Sequence, residues 1–433
     1  MLDVARVRKD FPILERKLAN GKTLVYLDNA ATTQKPTQVI DAMDRFYRET
    51  NSNVHRSIHE LGERATEQYV AAHERVAEFI GASSMEEIVF TKNCTEALNL
   101  VAYSKGMREL KAGDEVVISQ MEHHSNFVPW LEVCRITGAK LRIAPLTPEG
   151  NLDLAAYEAL LSRKTRLVAM TAMSNVLGSI VPVQRVSALA HEVGAKVLID
   201  GAQSVPHART AVRETGEDFM AFSAHKMLGP TGIGVLYGKK EELLAMEPFL
   251  FGGEMISSVT NEGAKWNELP WKFEAGTPVI AEAIGLHAAI DHLDALGMDE
   301  VAAHERRLVE HAFERLAKVP GLRILGPGPA ARGGLVAVEM EGIHAHDVAS
   351  LLNDDGVAVR AGHHCAQPLM TTLGVASTAR ASFYVYTTTQ EIDAFAAALE
   401  RAREVFRLVG EGSGEPRVGV PRVGGRSEDR EAP

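Results

Sequence analysis

From about residue 24 to 240, short apolar runs rich in β-branched residues alternate with stretches of helical periodicity. That alternation predicts crossover units on a largely parallel sheet, an α/β domain. One unit can be followed residue by residue. "TRLVAMTAMSN" (165–175) has the character of a buried strand, and "VQRVSALAHEVG" (183–194) puts Val186, Leu189, Ala190 and Val193 on one helical face. "AKVLID" (195–200) then returns as a strand, with Gly194 as the stop between helix and strand. Upstream, "IHELGERATEQYVAAHERVAEFIG" (58–81) spaces Ile58, Leu61, Ala65, Tyr69, Ala72, Val76 and Phe79 as the apolar face of a helix that ends on Gly81.

The texture changes after about residue 285. Long charged helices ("DEVAAHERRLVEHAFERLAKV"), two strands ("LRILG", "GLVAVEME") and a closing helix over about 390–409 predict a smaller α+β domain. The expected division is an N-terminal segment (1–22), a large domain (23–284), a small domain (285–409) and a tail (410–433). The tail is full of Gly, Pro and mixed charge, so it has too little apolar surface to offset its ordering entropy and is expected to be disordered.

Composition narrows the function. A formal charge of −11 leaves no basic excess for a general nucleic-acid binder. Three scattered cysteines, Cys94, Cys134 and Cys365, make neither a disulfide framework nor a CxxC zinc pattern, which points to a reducing compartment. With no secretory signal pattern at the N-terminus and no apolar run of spanning length, a cytoplasmic protein is expected.

Open α/β sheets bind ligands beyond the carboxyl ends of their strands, and four strand ends carry polar residues. In "EEIVFTKNCTEALNLVAYS" a helix starting near Thr95 offers free amides and a hydroxyl to an anion, although Thr95 as a simple N-cap explains the pattern equally well. "DEVVISQMEHHSN" places His123 and His124 beyond a strand; adjacent histidines diverge, so one facing a planar ligand is a better reading than a shared metal. "KVLIDGAQS" ends a strand on Asp200, costly to bury without a cationic partner unless it caps a following helix. In "DFMAFSAHKMLGPTGIGVLYG" a strand delivers Ser223, His225 and Lys226 to a glycine-rich turn, where a desolvated lysine becomes a nucleophilic amine. An amine able to form a Schiff base, an acid for a pyridinium nitrogen, a flat stacking side chain and hydroxyls with helix-end amides for a phosphate are together the parts of a pyridoxal phosphate (PLP) site.

The sequence resembles the fold-type I PLP enzymes of the class V aminotransferase group, and within it the SUF-type cysteine desulfurases, which overlap with selenocysteine lyases. The resemblance runs from about residue 9 to 408 through "LDNAATTQKP", "NVHRSIHELG", "TEALNLVA", "EHHSNFVPW", "SNVLGSI", "DGAQSVPH", "FSAHKMLGPTGIGVLYG", "FGGEMI", "FEAGTP" and "RAGHHCAQPLM", in order. It implies a large, mostly parallel seven-stranded sheet with helices on both faces, an N-terminal segment packed with the small domain, and a homodimer. By that resemblance Lys226 carries the cofactor and moves the substrate Cα proton, Asp200 pairs with the ring nitrogen, Gln203 meets the ring hydroxyl and His123 stacks on the ring and takes a catalytic part in proton transfers. Thr95, Ser223 and His225 match the phosphate cup, with Thr277 donated by the neighbouring subunit. Arg380 matches the clamp on the substrate carboxylate, with Asn175 and His55 in the same pocket and Arg360 at its edge. Cys365 would take sulfur from L-cysteine as a persulfide, leaving alanine, and pass it to a SufE- or SufU-type acceptor for iron–sulfur cluster assembly. Its neighbours His363, His364 and Arg360 are candidates to favour the thiolate. His346 is a candidate for docking the zinc of a SufU-type acceptor, against the simpler reading of a polar residue at a helix start. A selenocysteine lyase or a PLP aminotransferase of the same group are the alternatives. The sequence departs from the group's pattern at "VIAEAIG" after "FEAGTP" and at Cys94 beside Thr95.

Overall fold

The computed structural model describes residues 2–55 and 58–412, with side chains through 407. The tail expected to be disordered lies, from residue 413 on, outside the described residues; 410–412 continue the closing helix Thr389–Gly412.

Seven strands form the large sheet, in the order Ile88–Thr91, Gly234–Gly238, Phe219–Ser223, Lys196–Asp200, Thr165–Thr171, Glu115–Ser119, Lys140–Ala144. Gly234–Gly238 runs antiparallel to both neighbours and the other neighbouring pairs are parallel. Burial on both faces explains why the central strands read as continuous apolar runs. Two apolar clusters, one containing Val168, Val197 and Phe222 and the other Ala169, Leu198 and Ala221, lie on opposite sides of the sheet because successive strand residues alternate.

The crossover units fall where the periodicity places them, including the helix Val183–Glu192. Helix Glu60–Ile80 ends on left-handed Gly81, φ 70°, as expected. Ile58, expected on its buried face, is instead 95 % exposed. The reason is the N-cap: His59 Nδ1 accepts from the Gly62 amide at 3.2 Å, so the helix starts at Glu60 and Ile58 precedes it.

A second sheet of four antiparallel strands, Leu322–Leu325, Leu335–Met340, Thr378–Ser382 and Arg360–Gly362, is covered by helices Met298–Leu316, Ala345–Asp354 and Thr389–Gly412. The expected boundary at 284–285 falls inside helix Ile280–Leu296, which packs on Glu60–Ile80 and Thr37–Arg45. The start of the chain reaches the late elements: Val25–Tyr26 pairs in parallel with Val357–Ala358, and Arg8 binds Glu391 at 3.0 Å and the Tyr386 carbonyl at 2.6 Å. Among the described residues no helix is long and apolar enough to cross a membrane.

Candidate active site

The carboxyl ends of five strands of the large sheet meet strand Arg360–Gly362 and its following loop around a cavity of about 250 Å³. It is lined by Thr95, His123, Asn175, Asp200, Gln203, Ser223, His225, Lys226, Arg360, Cys365 and Arg380, together with Cys94 and His364.

Lys226 follows strand Phe219–Ser223 in a single turn of 3₁₀ helix, Ala224–Lys226. It keeps some surface toward the cavity but is otherwise enclosed. Burial pushes its amine below the ordinary lysine range, while the charge of Asp200 opposes that shift. The His225 carbonyl beside it accepts from the Thr33 amide at 3.0 Å and from Lys35 Nζ at 2.9 Å, which ties the lysine turn to "LDNAATTQKP".

Asp200 is buried at the end of its strand. Its Oδ1 accepts from the Ala202 amide at 3.0 Å and from the Cys94 thiol at 3.4 Å. The segment after it is a succession of turns, so Asp200 caps no helix. Gln203 Nε2 donates to the Ala30 carbonyl at 2.7 Å, which fixes the amide and leaves Oε1 buried without a partner.

His123 is the N-cap of helix His124–Thr137; its Nδ1 accepts from the Ser125 amide at 3.1 Å, so a neutral ring carries its proton on Nε2. Burial, then the charge of Lys226, pushes its pKa down to about 4. His225 is held at about 4 by burial and by Lys226 and Lys35. Beneath His123, burial lifts Glu122 to about 8 despite hydrogen bonds from Ser119, Asn126 and the Thr171 amide.

At the head of helix Cys94–Val101 the N-cap is Asn93, whose Oδ1 accepts from the Glu96 amide at 2.9 Å. Thr95 therefore caps nothing; its exposed hydroxyl pairs with that of Ser125 at 2.7 Å. Ser223 Oγ accepts from the Cys94 amide at 2.8 Å.

Arg380 is 2 % exposed, which excludes a surface ion pair. It donates to the Asn175 carbonyl at 2.7 Å and lies 3.4 Å from Asp28, and its Nε is buried without a partner. Burial lowers its pKa to about 10. Arg360 reaches the other oxygen of Asp28 at 3.4 Å. Asp28 is the site residue that sequence reasoning missed: two arginines converging on one pocket require a counter-charge, and that was the available signal.

Cys365 is exposed at the rim. It and His364 are consecutive left-handed residues, φ 55° and 52°, each costing roughly 1–2 kcal/mol by chirality alone. The turn is held from both sides: Asn175 Nδ2 donates to the His364 carbonyl at 2.7 Å and the His124 amide to the Cys365 carbonyl at 2.7 Å. His364 is buried on Thr378, and burial with the charge of Arg380 pushes it down to about 3. It is neutral near pH 7 and so supplies no positive charge to the thiol. Arg360 and Arg380 are the guanidinium cations on Cys365's side of the cavity.

Three expected site residues lie elsewhere in the single chain. Thr277 borders a separate cavity of about 110 Å³ with Tyr69 and Phe90. His55, expected in the Arg380 pocket, packs on Trp271 with centroids 4.3 Å apart and lines a cavity of about 230 Å³ that also includes Pro278. His346 is exposed in the first turn of helix Ala345–Asp354, its Nε2 within 3.8 Å of where a Cβ on Gly362 would lie. Among the described residues no three His, Cys, Asp or Glu side chains converge as a metal site.

The cavity's polar groups fit PLP: an enclosed amine, a buried carboxylate, an orphaned buried amide oxygen, and hydroxyls near a helix start. Fold and cavity together define a fold-type I PLP-dependent enzyme. Residues 25–395 match the Aminotransferase class-V family, and the chain belongs to that family. A probable cysteine desulfurase of Halalkalibacterium halodurans is 53 % identical over 405 residues, 94 % of this chain and 99 % of that protein. The apo structure of a cysteine desulfurase from Thermococcus onnurineus NA1 superposes with a TM-score of 0.88 at 40 % identity, covering 94 % of this chain and 99 % of that one. For the cysteine desulfurase CsdA of Escherichia coli the TM-score is 0.86 at 41 % identity, with the same coverage.

Proposed function

We propose that this site converts L-cysteine to L-alanine and keeps the sulfur on Cys365 as a persulfide. The observation that carries this reading is an exposed thiol at the rim of the cavity whose floor holds Lys226 and Asp200. PLP, once bound, supplies the electron sink that lets the Cα proton leave and the Cβ–sulfur bond weaken.

The chain's own residues do the rest. Lys226 Nζ holds the cofactor and moves the Cα proton; its lowered basicity favours the neutral amine that task needs. We assign Asp200 to the ring nitrogen, the free Oε1 of Gln203 to the ring hydroxyl and the flat ring of His123 to the cofactor face. Ser223, Thr95 and His225 are assigned to the phosphate. Arg380 and Asn175 take the substrate carboxylate, with Arg360 at the edge; Arg380 gives one N–H to the Asn175 carbonyl and one toward Asp28, which leaves three of its five donors for it. Cys365 Sγ attacks the substrate sulfur as the Cβ–sulfur bond breaks, and alanine departs.

A homodimer is the assembly this reading calls for, with Thr277 of a second copy completing the phosphate seat and His55 accompanying it, since His55 and Pro278 line one cavity. The scattered free thiols favour the cytoplasm. The persulfide passes to a SufE- or SufU-type acceptor protein for iron–sulfur cluster assembly, and the exposed ring of His346 beside strand Arg360–Gly362 is assigned to docking a zinc-bearing SufU-type partner. His346→Ala is expected to slow transfer to a zinc-loaded acceptor while leaving alanine release in the presence of a small thiol unchanged; equal transfer rates would remove His346 from this role.

The activity is tested with purified holoenzyme and L-cysteine. Equimolar alanine and sulfide are expected with a reductant, and a one-sulfur mass increase on the Cys365 peptide without one. A colourless protein that forms no alanine would overturn the reading.

A further inference from the structure

The function assigned above gives no role to Cys94, a buried thiol at the floor of the cavity and a departure from the pattern of the group the sequence resembles. Its Sγ lies 3.4 Å from Asp200 Oδ1, and its backbone amide donates to Ser223 Oγ at 2.8 Å. One residue thus joins the carboxylate assigned to the ring nitrogen to the hydroxyl assigned to the phosphate.

Its position is fixed by the backbone. Gly234, on the neighbouring antiparallel strand, lies so close that an added Cβ would be 2.3 Å from the Asn93 carbonyl carbon and 2.8 Å from the Cys94 nitrogen. Only glycine permits that approach. Asn93 caps the helix, so Cys94 cannot slide along it.

Asp200 Oδ1 accepts two hydrogen bonds from the protein, one from the Ala202 amide and one from this thiol. With Oδ1 so occupied, the rotation of the carboxylate is set. We propose that Cys94 is a positioning residue for the cofactor: its thiol orients Asp200 so that the second oxygen is presented to the ring nitrogen of PLP. The thiol remains a donor because burial, and then the Asp200 charge, holds it well above the ordinary cysteine range, so it stays protonated beside a carboxylate. The inference rests on the PLP reading of the cavity and not on the identity of the substrate.

The test uses full-length wild-type, Cys94→Ala and Cys94→Ser proteins, each isolated as holoenzyme, stripped of PLP and reloaded. Two quantities are read: the dissociation constant of PLP, and the pH midpoint of the visible band of the lysine-bound cofactor. Loss of a weak thiol hydrogen bond that acts through Asp200 predicts PLP binding weakened about five- to tenfold in Cys94→Ala. The spectral midpoint is expected to move by about half a pH unit or more, since the ring nitrogen loses an aligned carboxylate. Cys94→Ser, which keeps a donor, is expected to restore both to within about twofold and about a quarter unit. A purely structural role would lower the melting temperature of Cys94→Ala and leave the midpoint where it was. An unshifted midpoint with wild-type affinity in Cys94→Ala overturns the proposal, and so does a Cys94→Ser protein that behaves like Cys94→Ala. A wild-type protein that binds PLP yet releases no alanine would break the desulfurase reading and leave this inference standing.

Discussion

The floor and the rim of the cavity are built on opposite principles. Lys226, Asp200 and His123 stand at or just beyond the ends of strands packed on both faces, where burial shifts the amine and the imidazole toward their neutral forms. Cys365 stands in a short turn after an edge strand of the other sheet, exposed, with two consecutive left-handed residues held by hydrogen bonds from Asn175 and His124. The floor uses the protein interior to alter basicity, which demands rigidity and desolvation. On the proposed function the rim keeps the Cys365 thiol open to two clients in turn, the substrate inside and an acceptor outside, which demands exposure.

If that division holds, variants at the two levels part company. Lys226→Ala should abolish alanine formation, by about 10³-fold or more, and remove the lysine-bound cofactor band. Cys365→Ala should keep the band and PLP affinity but lose persulfide formation and transfer. Paired spectra and alanine assays check this, and a Cys365→Ala protein with altered cofactor absorbance would contradict the separation. A smaller effect is expected where the levels meet. Arg380→Lys loses the planar fork while keeping the charge, so KM for cysteine should rise about 10- to 100-fold with the cofactor spectrum unchanged. Smaller still is the acid response of the floor. His123 is neutral in the fold down to about pH 4 and takes a proton near 6.5 when unfolded, so the unfolded state binds more protons between those values. The stability this provides is complete above about pH 6.5 and is lost as pH falls toward 4. Glu122, lifted to about 8, works in the opposite direction, so the histidine contribution is read as a difference. Melting curves of His123→Asn should decline less between pH 6.5 and 5 than those of the wild type; parallel curves would show that His123 does not titrate as its burial dictates.

The floor was legible in the sequence because its residues ride at the ends of long apolar runs, where a polar residue stands out: Asp200 after "KVLI", Lys226 after "DFMAFSAH". What was not legible depends on contacts across the chain. Asp28 follows a strand only two residues long, whose partner is Val357–Ala358, and its role exists only once Arg360 and Arg380 arrive from the far end of the sequence. The hairpin Ile256–Thr260 with Gly263–Trp266 gave no burial alternation, because all but its first and last residues are exposed. Ile58 was misread because periodicity cannot tell a helix's first turn from the residue before its cap. Thr277 and His55 sit away from the cavity in one chain, which pattern within one sequence has no means to express.

The pairing of Val25–Tyr26 with Val357–Ala358 bears on how this protein is made. As the chain leaves the ribosome from its amino end, the strands that form the cavity floor are all released before residue 240, and the large sheet can assemble while synthesis continues. Phe11 and Leu14 belong to the apolar cluster that also contains Val39 and Phe46, but residues 25–26 cannot pair until the segment around 357 emerges. The sulfur-bearing turn at 364–365 is released just after their partner strand. The strand ends that carry Lys226 and Asp200 are thus released well before Cys365, while Arg360 and Arg380, which complete the cavity, come from the same late stretch of chain as that thiol.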